Sequence, residues 1–264
     1  MRAMCRPASG VVVAVLLLSA CGEDTGDAVA TGDLDLVSPA TLTVCSDVPF
    51  TPFGFEDPDS PIGYRGFDID LVTEIAHHLA VDVAVVSTDF EDLVTGSAMA
   101  AGTCDLAASA VAITETRAAQ IDFSDPYYDA MQSLLVAEGT ALSSIDELVE
   151  GMVVGVQSGA AGETYAERNV PGADIRAFES IGDLMVALET GQVDAILHDL
   201  PTSVEFARGT AAEVVADYDS GQSYGFAMAQ DRTDGLVDAI NAALAEIRED
   251  GTYDEVFDRY FGVD

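Results

Sequence analysis

Lysine and tryptophan are both missing from this 264-residue chain, and its ten basic side chains, all arginine, stand against 47 Asp and Glu. The formal net charge of −37 excludes a nucleic-acid binder, because gripping a phosphate backbone needs a basic surface. It equally disfavours docking on anionic lipid headgroups, which attract Lys and Arg. Such a surface keeps the protein soluble and self-repelling. A salt-rich habitat and a lineage-wide composition bias would each produce it. Long apolar runs are also lacking: no segment approaches the ~18 consecutive apolar residues that span a bilayer. With 49% hydrophobic residues the chain can still bury a sizeable core, in one large domain or two modest ones.

The N-terminus carries the first positive signal. Arg2 and Arg6 precede the apolar run 11–18, and small residues then lead to Leu18-Ser19-Ala20-Cys21. This predicts an export signal over 1–20, too short for a stable membrane helix. Its cleavage region resembles the bacterial lipoprotein signal, which implies that Cys21 becomes the lipidated first residue. The alternative is an ordinary cleaved signal that happens to contain a cysteine. Residues 21–38 are acidic, small and aperiodic, as expected of a flexible tether. With Cys5 in the signal and Cys21 taking the lipid, Cys45 and Cys104 remain in the body. An exported compartment permits a disulfide between them. Their expected strand register, however, sets them several residues out of step, against the ~7 Å Cα limit.

From Pro39 the chain reads as strands alternating with helices. Strands are expected over 42–46, 81–87 and 105–111. Helices are expected over 68–79, capped by Asp68 with Leu71, Val72, Ile75 and Leu79 on one face, and over 90–101. The pattern recurs with strands 152–157 and 193–197 and helices 160–168 and 183–189. Extended apolar stretches 131–137 and 224–229 lie between the halves, and helices 236–248 and 253–261 close the chain. This order predicts an α/β protein with two mostly parallel open sheets joined by two crossing segments. Ligands of open α/β sheets sit beyond the carboxyl ends of the strands.

Those strand ends carry residues suited to a zwitterion. In Ile113-Thr114-Glu115-Thr116-Arg117, Thr114 looks like a helix cap, which puts Arg117 in the first turn against the helix dipole. A broken local rule without visible compensation points to function. A guanidinium fork beside free N–H groups suits a carboxylate. The alternative is a surface pair with Glu115 or Asp122. The small-residue loop Gln157-Ser158-Gly159-Ala160-Ala161-Gly162 would let an anion approach backbone N–H groups closely. His198 and Asp199 end a strand. Asp199 suits an α-ammonium group, or else merely caps the helix opened by Pro201. Phe50, held in a proline-rich loop after Asp47, and Phe90 could cover the ligand's apolar part, or simply pack in the core. His77 and His78 have no partners at metal spacing and read as surface residues.

These motifs together resemble the polar amino-acid solute-binding proteins of bacterial ABC importers, extracellular solute-binding family 3. The marks are Gly66-Phe67-Asp68-Ile69-Asp70-Leu71, the 113–117 segment, Asp122-Phe123-Ser124-Asp125-Pro126-Tyr127-Tyr128, the 194–199 segment and Gly251-Thr252-Tyr253. The resemblance runs over 42–262 and is nearest to glutamine-binding members. It implies a type II periplasmic-binding fold, with one lobe from 39–128 and 228–264, a second from 132–223, and hinges near 128–132 and 222–227. It implies that Arg117 holds the ligand carboxylate and Asp199 the ammonium. Phe50 and Phe90 would sandwich the aliphatic chain, Asp47, Gln157 and His198 would face its end, and backbone at Ala110, Ala112, Ala160 and Ala161 would complete the cradle.

Two departures matter. Ala112 stands where the family usually has a hydroxyl, and Gln157 where glutamine-binding members carry lysine, so the side-chain pocket is net acidic. The expectation is therefore a monomeric, extracytoplasmic lipoprotein, attached to the membrane through its lipid only, with no cofactor, metal or catalytic residue. It would deliver glutamine first, arginine or histidine next, to an ABC permease. The alternatives are an amino-acid sensor for a signalling partner and a dehydratase-like enzyme on the same fold.

Overall fold

The computed structural model describes residues 34–262. The expected export signal, Cys5, Cys21 and most of the expected tether lie outside the described residues. Residues 34–38, part of the expected tether, instead lie on the body. The Val37 N–H donates to Asp105 Oδ1 at 2.8 Å, the Asp35 N–H to Asp234 Oδ2 at 3.0 Å, and Leu34 and Leu36 pack on the core. Two leucines are apolar surface enough to dock a segment that looks merely acidic and small in sequence.

The chain forms β1 (Thr41–Ser46), β2 (Phe55–Glu56), β3 (Tyr64–Arg65), α1 (Phe67–His78), β4 (Asp82–Ser87), α2 (Phe90–Val94), α3 (Ser97–Ala100) and β5 (Leu106–Ala107). There follow α4 (Glu115–Ala118), β6 (Ile121–Phe123), β7 (Tyr128–Ala137), β8 (Val153–Gln157), α5 (Ala161–Asn169), β9 (Asp174–Phe178), α6 (Ile181–Glu189) and β10 (Ala195–Asp199). The last elements are α7 (Leu200–Gly209), β11 (Ala212–Tyr224), β12 (Ala227–Ala229), α8 (Leu236–Glu249) and α9 (Thr252–Phe261).

Two five-stranded sheets result, ordered β4-β1-β5-β12-β6 and β11-β7-β10-β8-β9. In the first, β4, β1 and β5 run parallel and β12 returns antiparallel to β5 and β6. In the second, β9, β8 and β10 run parallel and β7 is antiparallel to β10. The long strands β7 and β11 pair from Tyr128↔Tyr224 to Ala137↔Ala212 and carry the chain out to the second sheet and back. Helices cover the sheets as a βαβ order requires. In α1 the buried face includes Leu71, Val72 and Ile75, as the helical period predicts.

Three local expectations need correction, and one alternative left open in the sequence is settled. Asp68 does not cap α1; Gly66 does, at φ 136° and so close to Phe53 that a Cβ would sit 2.1 Å from its carbonyl oxygen. Only glycine fits that approach, and Asp68 is carried inside, fully buried. The helix expected over 90–101 is two short ones, α2 and α3, separated at Gly96 with φ 79°. The strand expected over 105–111 shrinks to two residues, because the chain turns away at Ala110 with φ 46°. Finally, Cys45 and Cys104 are disulfide-bonded with Cα atoms 5.7 Å apart. Cys45 does pair with Ala107 rather than Cys104, as the offset register foresaw. Cys104, however, lies before β5 rather than in it, and the turn leading into the strand brings it back within reach.

Candidate functional site

The carboxyl ends of β1, β4, β5, β8 and β10 face the gap between the two sheets, and the candidate ligand residues follow these ends. Asp47 follows β1, Phe90 opens α2 after β4, Ala110 and Ala112 follow β5, Gln157 ends β8, and His198 and Asp199 end β10.

Three of these form a hydrogen-bonded chain across the gap. Gln157 Nε2 donates to Asp47 Oδ2 at 3.0 Å, linking the second sheet to the first. Its amide oxygen lies 3.3 Å from His198 Nε2. Burial raises the Asp47 carboxyl above its ordinary value, against the Gln157 bond and with help from nearby Asp89. Burial lowers the His198 imidazole, only partly offset by Asp199, so at neutral pH the ring is uncharged. Phe50 lies edge-on to His198, ring centroids 5.7 Å apart, and stacks on Phe53.

Arg117 lies at the third residue of α4, a single turn that is first and last at once, so the dipole conflict expected for it does not arise. Thr114 caps the short helix α4, its hydroxyl accepting from the Arg117 N–H at 3.2 Å. The guanidinium donates to Ala112 O at 2.8 Å and, across the gap, to Gly159 O at 2.5 Å. It also lies over the Phe90 ring, 5.9 Å from the centroid. Burial lowers it to about 10, with Asp199 and Tyr224 acting in the opposite direction, so it remains a cation at neutral pH. The alternative of a surface pair with Glu115 or Asp122 is not found among the ion pairs of the described residues.

Asp199 occupies the position before α7, yet its side chain makes no capping bond. Its Oδ1 accepts instead from Tyr224 Oη at 2.5 Å and Gln132 Nε2 at 2.6 Å, while Oδ2 stands 3.9 Å from His198 Nδ1. Tyr224 and Gln132 were missed in the sequence because they lie within the crossing strands β11 and β7, with nothing local to mark them. Gly162, two residues into α5, packs so tightly on β10 that a Cβ would meet Leu197 O at 2.3 Å. In the loop before it, the Glu163 carboxylate takes the Gly159 N–H at 2.7 Å and Gln157 O takes that of Ala160 at 3.1 Å. Two of the backbone N–H groups expected to meet an anion in this loop are therefore already used, and Ala160, at the cap position, has no side chain with which to cap the helix. Phe50 and Phe90 are both buried, in separate apolar clusters, so core packing and contact with the gap coincide.

The arrangement is a cation and an anion facing each other between two sheets, with two aromatic rings and an acceptor-rich end. The family described as bacterial extracellular solute-binding proteins, family 3, matches residues 42–263. A curated relative described as "Probable histidine-binding protein" of Neisseria gonorrhoeae is 30% identical over 263 residues, covering 96% of this chain and 94% of the relative. Among solved structures, an ancestral arginine-binding protein bound to glutamine is 33% identical with a TM-score of 0.78, covering 86% of this chain and all of that one. An ancestral amino-acid-binding protein described as a precursor of cyclohexadienyl dehydratase is also 33% identical, with a TM-score of 0.75, covering 84% of this chain and 95% of that one.

Proposed function

Since the chain belongs to the bacterial extracellular solute-binding proteins of family 3, we propose that it is an extracytoplasmic receptor for one free amino acid, which it hands to an ABC permease. The observation that carries this reading is the opposed pair: half-buried Arg117 from the first sheet, its charge supported by Asp199, and buried Asp199 from the second. A fixed cation and a fixed anion on facing walls match the two ends of an α-amino acid, since a buried charge needs a fixed counter-charge. The sheets act as two lobes, hinged where β7 and β11 cross near 128–132 and 222–227. A ligand held by both favours the closed arrangement through its differential affinity. Cys21 carries the lipid that keeps the protein at the outer face of the cell membrane.

Asp47 and the neutral His198 set the preference for the side chain. They offer acceptors, and Gln157 supplies no cation, so side chains that donate hydrogen bonds fit and carboxylates do not. Glutamine comes first, arginine or histidine next. Relatives described as histidine-binding and arginine-binding, one of the latter holding glutamine, are consistent with that range. Holding rather than reacting is supported by the partners of the acidic groups. Asp199 Oδ1 is fixed by Tyr224 and Gln132 and Asp47 Oδ2 by Gln157, as suits carboxylates that hold a ligand in place.

A thermal-shift screen against the twenty amino acids tests this. At 1 mM ligand and micromolar Kd the native state gains about 4 kcal/mol. At roughly 2–4 °C per kcal/mol for a chain of this size, that raises Tm by about 8–16 °C. Glutamine, arginine or histidine should give the largest rise. No shift with any amino acid, or the largest with glutamate or aspartate, would overturn the reading.

A further inference from the structure

Asp68 is a buried carboxylate that the proposed ligand grip does not use. It sits in the first turn of α1, fully buried, where the helix dipole favours negative charge. Oδ2 accepts the Ala110 N–H at 2.6 Å. Oδ1 has no hydrogen-bond partner, and the hydroxyl of buried Tyr127, which faces Asp68, has none either. A carboxylate buried among apolar side chains is costly and normally neutralises or finds partners. Its retention here calls for a reason beyond packing.

The backbone it touches supplies one. Ala110 has φ 46°, a left-handed conformation that a residue with a Cβ adopts at some cost. That conformation turns the chain out of β5, and the following residues are then pinned to β11: Ile113 N–H donates to Ser223 O at 2.8 Å, and Gly225 N–H to Val111 O at 3.1 Å. Because Ala112 bridges Tyr224 through those flanking bonds, its own N–H and carbonyl point away from β11. The carbonyl points to Arg117. The turn thus aims backbone groups into the gap, and its entry point is the N–H that Asp68 holds.

We propose that Asp68 is a positioning residue of the ligand site: its carboxylate fixes the strained turn at Ala110, and through it the backbone that meets the ligand beside Arg117. This deepens the reading of the site given above and rests on it. Burial raises the Asp68 carboxyl to about 7 and Asp199 raises it further, against the Ala110 bond and the nearby Tyr127 hydroxyl, which lower it. The titratable groups facing it are Tyr127, which precedes β7, and Asp199 at the end of β10. The charge on Asp68 therefore changes within the neutral range. Its bond to Ala110 is stronger when ionised.

The test uses Asp68→Asn, which keeps an acceptor for the Ala110 N–H, and Asp68→Ala, which removes it. Calorimetry with L-glutamine and with L-arginine from pH 5.5 to 8.5 gives affinity, and amide NMR of the ligand-free protein follows Ala110. The expected result is a tenfold or greater loss of affinity in Asp68→Ala and rescue to within about threefold in Asp68→Asn. Wild-type affinity and the Ala110 amide shift should both inflect near pH 7, and Asp68→Asn should flatten both profiles. A folded Asp68→Ala protein that binds within twofold of wild type overturns the proposal. So does an Asp68→Asn protein as weak as Asp68→Ala. Should Asp68→Ala fail to fold, the Ala110 amide decides: no response to pH in wild type, and no change in Asp68→Asn, refutes the contact. Wild-type protein that binds neither probe would count against the receptor reading, while the Ala110 amide would still decide the role of Asp68.

Discussion

Replacing Asp199 by asparagine separates the two roles that this residue could have. Asparagine is as good a helix cap as aspartate. If Asp199 served only to start α7, the substitution would leave binding untouched. The geometry argues otherwise. Oδ1 is occupied by Tyr224 Oη and Gln132 Nε2, both neutral donors, and asparagine keeps an oxygen there for them. The atom that changes is Oδ2, which makes no such bond and is the one free to meet an ammonium group. In the variant an NH2 group replaces it and points donor against donor. Leaving a buried charge without its partner costs about 3–5 kcal/mol. From a micromolar starting point near −8 kcal/mol, affinity falls by roughly 100-fold or more. Fold stability should hardly move, because shape and both Oδ1 bonds survive and a buried charge disappears. Calorimetry with L-glutamine and L-arginine, paired with thermal unfolding, is the assay. Retention of affinity within fivefold would refute the reasoning, as would a loss of binding that merely follows a collapse in Tm. Tyr224→Phe serves as a graded control: removing one hydroxyl from Asp199 should weaken binding by about 1 kcal/mol, or roughly fivefold.

Other expectations follow from the same geometry. Arg117→Ala should lower affinity by ~100-fold or more by leaving the ligand carboxylate unpaired, and calorimetry showing under a fivefold loss would contradict that role. Gln157→Lys brings a cation beside Asp47, which now accepts the Gln157 amide N–H at 3.0 Å; competition binding should then favour glutamine over arginine more strongly than in wild type, and no change in the ratio would remove Gln157 from the specificity end. Reduction of Cys45–Cys104, which closes a loop with a sequence separation of 59, should cost about 4 kcal/mol on chain-entropy grounds, measured as a drop in Tm with reductant. The Asp68 carboxyl is raised from 3.8 to about 7, so the folded protein binds the proton more tightly than the unfolded chain. Its contribution to stability is therefore full below pH ~4 and lost as pH rises to 7, on the order of 4 kcal/mol. The Tm difference between Asp68→Asn and wild type should grow over that window and level off above it.

What could be read from the sequence was local or periodic. Thr114 was legible because a cap involves only four residues, and the structure keeps it; the dipole conflict read for Arg117 does not survive, because α4 is a single turn with Arg117 toward its C-terminal end. The buried face of α1 followed from helical spacing. What escaped depends on partners far away in the chain. Tyr224 and Gln132 reach Asp199 from 25 and 67 residues away, and no pattern in either strand marks them. Asp68 looked like a cap because aspartate before an apolar period usually is one, but the close approach of Gly66 to Phe53 starts the helix two residues earlier and buries the carboxylate. Strand β9 passed unseen because it is an edge strand, with exposed residues breaking its alternation. The disulfide turned on where β5 begins, and a two-residue strand gives too little pattern to fix that.

The most direct trial of the grip between Arg117 and Asp199 is a crystal structure of the protein with L-glutamine bound. The α-carboxylate should lie within hydrogen-bond distance of the Arg117 guanidinium and the α-ammonium within the same distance of Asp199 Oδ2, with Asp47 at the amide end. A ligand seated elsewhere, or both side chains turned out of the gap between the sheets, would contradict the account.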